Sequence, residues 1–125
     1  MNSKLIVLGG IIVIKKYAAV FEVTSWLTEQ YLIKGDDAFE ILSAFEDIQS
    51  LSCLVRMGRR EEDTEGQKQL DKIEALLDKK DCGELNIDDL KTMDYTLSLG
   101  DIRCLDVLEG ESAEAVLREK YPKAK

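Results

Sequence analysis

Residues 36–57 read DDAFEILSAFEDIQSLSCLVRM, and the spacing of their apolar side chains organises the rest of the chain. On a helix, Ile41, Leu42, Phe45, Ile48, Leu51 and Leu54 fall on one side, with Ala38 at the edge of the stripe. Steps of three and four residues mark a helix with one buried face. Asp37 stands three residues before Glu40, a capping-box arrangement, and Asp36 and Asp37 sit where the helix dipole favours negative charge. The remaining segments are read as elements that cover this stripe.

Upstream, residues 13–34, VIKKYAAVFEVTSWLTEQYLIK, also project as a helix. Tyr17, Val20, Phe21, Leu27, Tyr31 and Leu32 gather on one side, and Lys15, Glu22, Glu29 and Gln30 largely on the other. The β-branched Val20, Val23 and Thr24 suit strands as well. Gly35 is a natural stop. The tight connection to residue 36 makes residues 13–57 an αα-hairpin.

Residues 5–14, LIVLGGIIVI, are too short an apolar run to cross a bilayer, which takes about 20 residues. Lys15 and Lys16 follow, and no A-x-A cleavage site appears where a signal peptide would have one. Two readings stand. One is a β-hairpin turning at Gly9–Gly10 and packing on the helices; the other is a short strand ending at Gly10 before a helix begins near Ile12.

Downstream, residues 58–69, GRREEDTEGQKQ, carry no apolar side chain and read as a solvated loop, with Thr64 and Gln67 spaced as a capping box for the next helix. Residues 65–80 form a third amphipathic helix through Leu70, Ile73, Ala75, Leu76 and Leu77. Asn86 caps a fourth, with Ile87, Leu90, Met93 and Leu97 inward, and Gly100 ends it. Asp101 caps a short element through Ile102, Leu105 and Leu108. After Gly110, Ser112 opens a last helix with Ala113, Val116 and Leu117. The expected fold class is mainly α: a single domain over residues 1–125, a compact bundle of about five helices, with the option of a short N-terminal β-strand or hairpin.

An apolar fraction of 45% with 34% charged residues is the composition of neither a disordered chain nor a membrane protein. The net charge of −8, from 25 acids against 17 bases, argues against direct nucleic-acid binding, because phosphate affinity rests on Lys and Arg. It suits a partner with a basic surface. Residues 1–35 carry +2; the acidity begins at residue 36 and persists to the end. No histidine is present, which removes Ser-His and Cys-His nucleophile pairs and mixed Cys/His zinc sites. Cys53, Cys82 and Cys104 are odd in number and scattered, which favours a reducing, cytoplasmic setting with buried or idle thiols. No P-loop, dinucleotide fingerprint, C-x-x-C or nucleophile elbow occurs, so no cofactor is expected and no catalytic or metal-binding residue is assigned.

Residues 77–90, LDKKDCGELNIDDL, carry the most specific pattern. Asp78, Gly83, Leu85 and Asp89 stand where an EF-hand loop has its first ligand, turn glycine, following apolar residue and last ligand. In that layout the stretch resembles the EF-hand family, which implies a calcium-responsive module over residues 78–89. It departs from the family at Lys80 and Cys82, where oxygen ligands belong, and at Asp89, where the family has a bidentate Glu.

The acids at 36/37, 46/47, 61–63, 88/89 and 106/109/111 read as helix caps or solvated faces. Arg56, Arg59 and Arg60 read as cations at a helix C-terminus. Of the aromatic residues, Trp26 and Phe39 lie nearest the polar sides of the projections and are the candidate exposed anchors. With Glu46, Asp47, Glu61, Glu62 and Asp63 they make the expected partner-binding set. The expected function is a non-enzymatic protein–protein interaction module, a small acidic inhibitor or adaptor for a basic partner, in one version a nucleic-acid mimic. It contacts neither nucleic acid nor membrane, and its oligomeric state is left open.

Overall fold

The computed structural model describes residues 5–8, 11–14 and 16–125, the first two spans as strand backbone alone. β1 (Leu5–Leu8) and β2 (Ile11–Ile14) pair antiparallel as a two-stranded sheet of their own. This is the hairpin reading of the N-terminal run; its expected turn at Gly9–Gly10, like Lys15, lies outside the described residues.

The expectation of a mainly α bundle is overturned by a four-stranded antiparallel sheet with helices on both faces, an α+β fold. Residues 13–34 are not a helix. They continue as a hairpin of β3 (Tyr17–Thr24) and β4 (Thr28–Gly35), in register from Tyr17 opposite Gly35 to Thr24 opposite Thr28. Helices α1 (Ala38–Ile48), α2 (Leu51–Glu61), α3 (Thr64–Asp81) and α4 (Ile87–Lys91) come next. Strands β5 (Asp94–Leu97) and β6 (Gly100–Glu109) then return to the sheet, and α5 (Ala113–Lys120) closes the fold. The strand order is β4-β3-β6-β5, so β3 and β6, far apart in sequence, are the central pair.

The central position of β3 explains why its period was hidden. Ala19 and Phe21 face the layer of α1–α4, while Ala18 and Val20 face α5, and all four are buried. A strand covered on both faces is a continuous apolar run instead of an alternation, and such a run projects equally well onto a helix. In β6 the phase changes midway. Leu105 is an extra residue where Val20 pairs with Asp106 and Phe21 with Cys104. This bulge puts Ile102, Cys104 and Val107 on the helix-layer face, and Leu105 and Leu108 on the α5 face.

The residue 36–57 stripe is two helices. Asp37 caps α1 by accepting from Glu40 N–H at 2.9 Å, and the Glu40 carboxylate accepts from Asp36 N–H at 2.9 Å. The chain leaves helical geometry at Gln49 and Ser50, so Leu51, Leu54 and Val55 are buried from a second helix packed on α3, and Ile48, expected inward, is 47% exposed. The loop expected over residues 58–69 is mostly helix. Its buried contacts come from glycine: a Cβ at Gly58 would stand 2.8 Å from Leu70 Cδ1, so α2 and α3 approach closely without an apolar side chain at that position. Asp63, not Thr64, caps α3, accepting from Gly66 N–H at 2.9 Å, while the Gln67 side-chain amide donates to carbonyls at the end of α2. The fourth helix stops at Lys91, because Met93, Tyr95 and Leu97 alternate with exposed Asp94 and Thr96 as a strand. The element expected to begin at Asp101 is β6, and Val116, expected inward on the last helix, is 47% exposed.

Burial pushes the Tyr95 phenol up from 10.0 to about 12. A raised folded-state value means the stability is fully present below pH 10 and lost as pH rises towards 12, because the unfolded phenol ionises first. The loss amounts to about 3 kcal/mol over that window. Urea titrations at pH 9, 10, 11 and 12 are expected to show this decline, and Tyr95→Phe is expected to make it shallower, leaving the part due to the Cys104 thiol, which burial also pushes up to about 12; an equal decline in the variant would contradict the assignment.

Candidate partner-binding surface

The β3–β4 turn is Ser25–Trp26–Leu27, closed by Ser25 N–H donating to Leu27 O at 3.0 Å. The β5–β6 turn is Ser98–Leu99, between Leu97 and its partner Gly100. Both turns lie at the same end of the sheet, since Thr24 pairs with Asp101. Gly100 fixes their approach: its φ of +138° is open to glycine, and a Cβ there would stand 2.5 Å from Thr24 O and 3.4 Å from Ser25 Cα. Three apolar side chains are exposed at this end: Trp26 at 93%, Leu27 at 48% and Leu99 at 39%.

The acidic α2–α3 connection is tied to the same end. Ser98 N–H donates to both oxygens of the Glu62 carboxylate at 3.2 and 3.3 Å, and Ser98 Oγ bonds the same group. Glu61 and Asp63, on either side of Glu62, are exposed, as is Glu65 in the first turn of α3. The tip therefore combines an apolar anchor with a carboxylate flank held on a helix junction.

The other expected partner-binding residues are elsewhere. The Lys80 ammonium, near the C-terminus of α3, lies 2.7 Å from Glu46 Oε1 and 5.2 Å from the Phe39 ring centroid. Glu46 is thus ion-paired and Phe39 is half-buried under a cation, while Asp47 is exposed. Seventeen residues of helix separate Asp63 from Lys80, about 25 Å at 1.5 Å per residue. The seven expected residues therefore form two groups, of which Trp26, Glu61, Glu62 and Asp63 share one end. Leu27, expected inward, and Leu99, Ser98 and Gly100 join them there. The signal for the latter three was a two-residue turn before glycine, between two alternating apolar stretches.

In the stretch that resembles an EF-hand, Asp78 lies inside α3, which ends at Asp81. Gly83, at φ +73°, terminates it, with Glu84 N–H donating to Lys79 O at 2.9 Å. Asp89 serves a capping box with Asn86, and the Asn86 backbone N–H, followed by Lys79 at 2.9 Å, holds its carboxyl below the ordinary carboxylate range. The two end positions of the twelve-residue pattern are thus a helix residue and a cap. Among the described residues, no three Asp, Glu or Cys side chains gather as a metal site. Arg59 bridges α2 to α3 through Gln67, Asp71 and Glu74, while Arg56 and Arg60 are exposed. Cys104 is buried enough that its thiol is pushed up to about 12. No helix among the described residues is long and apolar enough to cross a membrane.

Compared with protein-family models, curated proteins and solved structures, the chain matches none of them.

Proposed function

We propose that the protein is a non-enzymatic interaction module of the cytoplasm, an acidic inhibitor or adaptor that docks a basic partner through the paired hairpin tips. The observation that carries this reading is Trp26, 93% exposed at the end of a sheet whose other large aromatic side chains are buried or half-buried. Tryptophan supplies more binding energy per residue than most side chains once a partner excludes water from it. The Glu61–Asp63 flank and the net charge of −8 make a cationic surface the complementary one. The scattered thiols favour a reducing compartment.

The test is capture from the native host at two ionic strengths, with Trp26→Ala and Glu61→Lys/Glu65→Lys beside the parent protein. Trp26→Ala is expected to leave stability within about 0.5 kcal/mol, because the side chain is solvated. It is expected to weaken the partner by about thirtyfold, near 2 kcal/mol. The charge reversal is expected to slow association and to blunt its salt dependence. A partner retained equally by all three proteins would contradict the reading.

A further inference from the structure

We propose that Glu62 is a positioning residue: its carboxylate clasps the β5–β6 turn from a niche that Gly66 leaves open, and so preforms the end of the sheet that carries Trp26. The inference deepens the hairpin-tip reading and rests on it for its consequence in binding. Glu61 and Asp63 are exposed, but Glu62 between them is half-buried. Its backbone is pinned at the end of α2. The N–H donates to Gly58 O at 2.9 Å, and the carbonyl accepts from the Gln67 side-chain amide at 3.3 Å.

The Glu62 side chain then lies against the first turn of α3. A Cβ at Gly66 would stand 2.6 Å from Glu62 Cβ and 2.9 Å from Glu62 Cγ. Gly66 sits inside α3 without a positive φ, so alanine would be the better helix former there. What glycine supplies at this position is room for Glu62.

From that niche the carboxylate reaches a residue 36 positions later in the chain. Both its oxygens accept from the Ser98 N–H, and Ser98 Oγ bonds the same group. A carboxylate so engaged orients the turn, while the exposed Glu61 and Asp63 are left to face a cation. The hold extends to Trp26 through backbone. Gly100 pairs with Leu97 across the clasped turn and lies so close to the Thr24 carbonyl that a Cβ would meet it. A turn fixed at Ser98 therefore also restrains Ser25–Leu27. A surface ordered before encounter loses less conformational freedom when a partner docks.

The experiment compares the isotope-labelled full chain with Glu62→Ala, Glu62→Gln and Gly66→Ala. It reads amide exchange at Ser98 and backbone order parameters at Ser98, Leu99 and Trp26. No partner is needed, so the clasp can fail while the docking reading stands, and the reverse. Glu62→Ala is expected to speed exchange at Ser98 about tenfold. Order parameters at all three residues are expected to fall from about 0.85 towards about 0.6. Glu62→Gln keeps an oxygen for the Ser98 N–H and an amide for its hydroxyl, and is expected to stay near the parent. Gly66→Ala alters neither partner of the clasp, yet is expected to behave like Glu62→Ala. Unchanged exchange at Ser98 in Glu62→Ala would overturn the proposal. So would a Glu62→Gln variant as loose as Glu62→Ala, a Gly66→Ala variant as ordered as the parent, or a loosening that stops at Ser98 and leaves Leu99 and Trp26 ordered.

Discussion

Phe45→Ala is expected to lower the stability of the domain by about 3–5 kcal/mol. Phe45 is fully buried on α1 and stacks on Phe21 of β3, with ring centroids 4.3 Å apart and planes 17° from parallel. Phe21 is paired on one side with Tyr31 and on the other with Cys104, so the stack joins α1 to the two central strands. The loss has three parts: the apolar surface returned to water, a cavity that the sheet cannot collapse into, and about 1 kcal/mol of aromatic pairing. Domains of this kind hold about 5–15 kcal/mol in all, so the variant is expected to be marginal at 37 °C. Urea unfolding reads the effect as a fall in midpoint of about 1–3 M at unchanged slope. A fall corresponding to less than 1 kcal/mol would mean that Phe45 does not occupy the centre of the layer.

Gly100→Ala is expected to cost about 2–4 kcal/mol and to disturb binding as well as folding. Two terms add: a positive φ that L-residues resist, and a Cβ placed 2.5 Å from the carbonyl oxygen of Thr24. Backbone cannot rotate out of the way as a side chain can. Gly83 and Gly110 separate the terms, since their φ values are +73° and +112° while nothing lies within 4 Å of an added Cβ. Alanine at either is expected to cost about 1 kcal/mol, the conformational part alone. A Gly100→Ala variant no less stable than Gly83→Ala would show that the two hairpin tips do not touch. A shift of the Ser98–Leu99 turn away from the Ser25–Leu27 turn is expected to weaken a partner captured by the parent protein, beyond the loss from unfolding.

Helices with one apolar stripe and a chemical cap were readable from residue types. α3 and α5 stand near their expected places, and Asp37 and Asn86 cap as expected. What was hidden has common causes. β3 is apolar on both faces, so its period of two vanished, and Val20, Phe21 and Leu27 mimicked a helical stripe. β6 changes phase at Leu105, which broke its alternation into steps that also looked helical. The α2–α3 junction is held by Gly58, Gly66 and Gln67, none of which carries an apolar signal. Met93, Tyr95 and Leu97 did alternate, and with Gly100 they formed a hairpin pattern overridden by the helical cap at Asn86. Of the candidate surface, the Glu61–Asp63 acids stand out by their charge, and Trp26 by its place near the polar side of a helical projection that the β3–β4 hairpin replaces. Their shared location depends on β3 lying beside β6, a pairing of residues about eighty apart in sequence that no local pattern contains.

That pairing is what the shared location of the hairpin tips depends on, and a nuclear Overhauser spectrum of the labelled protein tests it most directly. Backbone contacts are expected between Ala19 and Val107, between Val23 and Ile102, and between Gly100 and Thr24 or Ser25. Sequential amide–amide contacts running unbroken through residues 17–32, with none reaching residues 100–109, would contradict the fold and every surface derived from it.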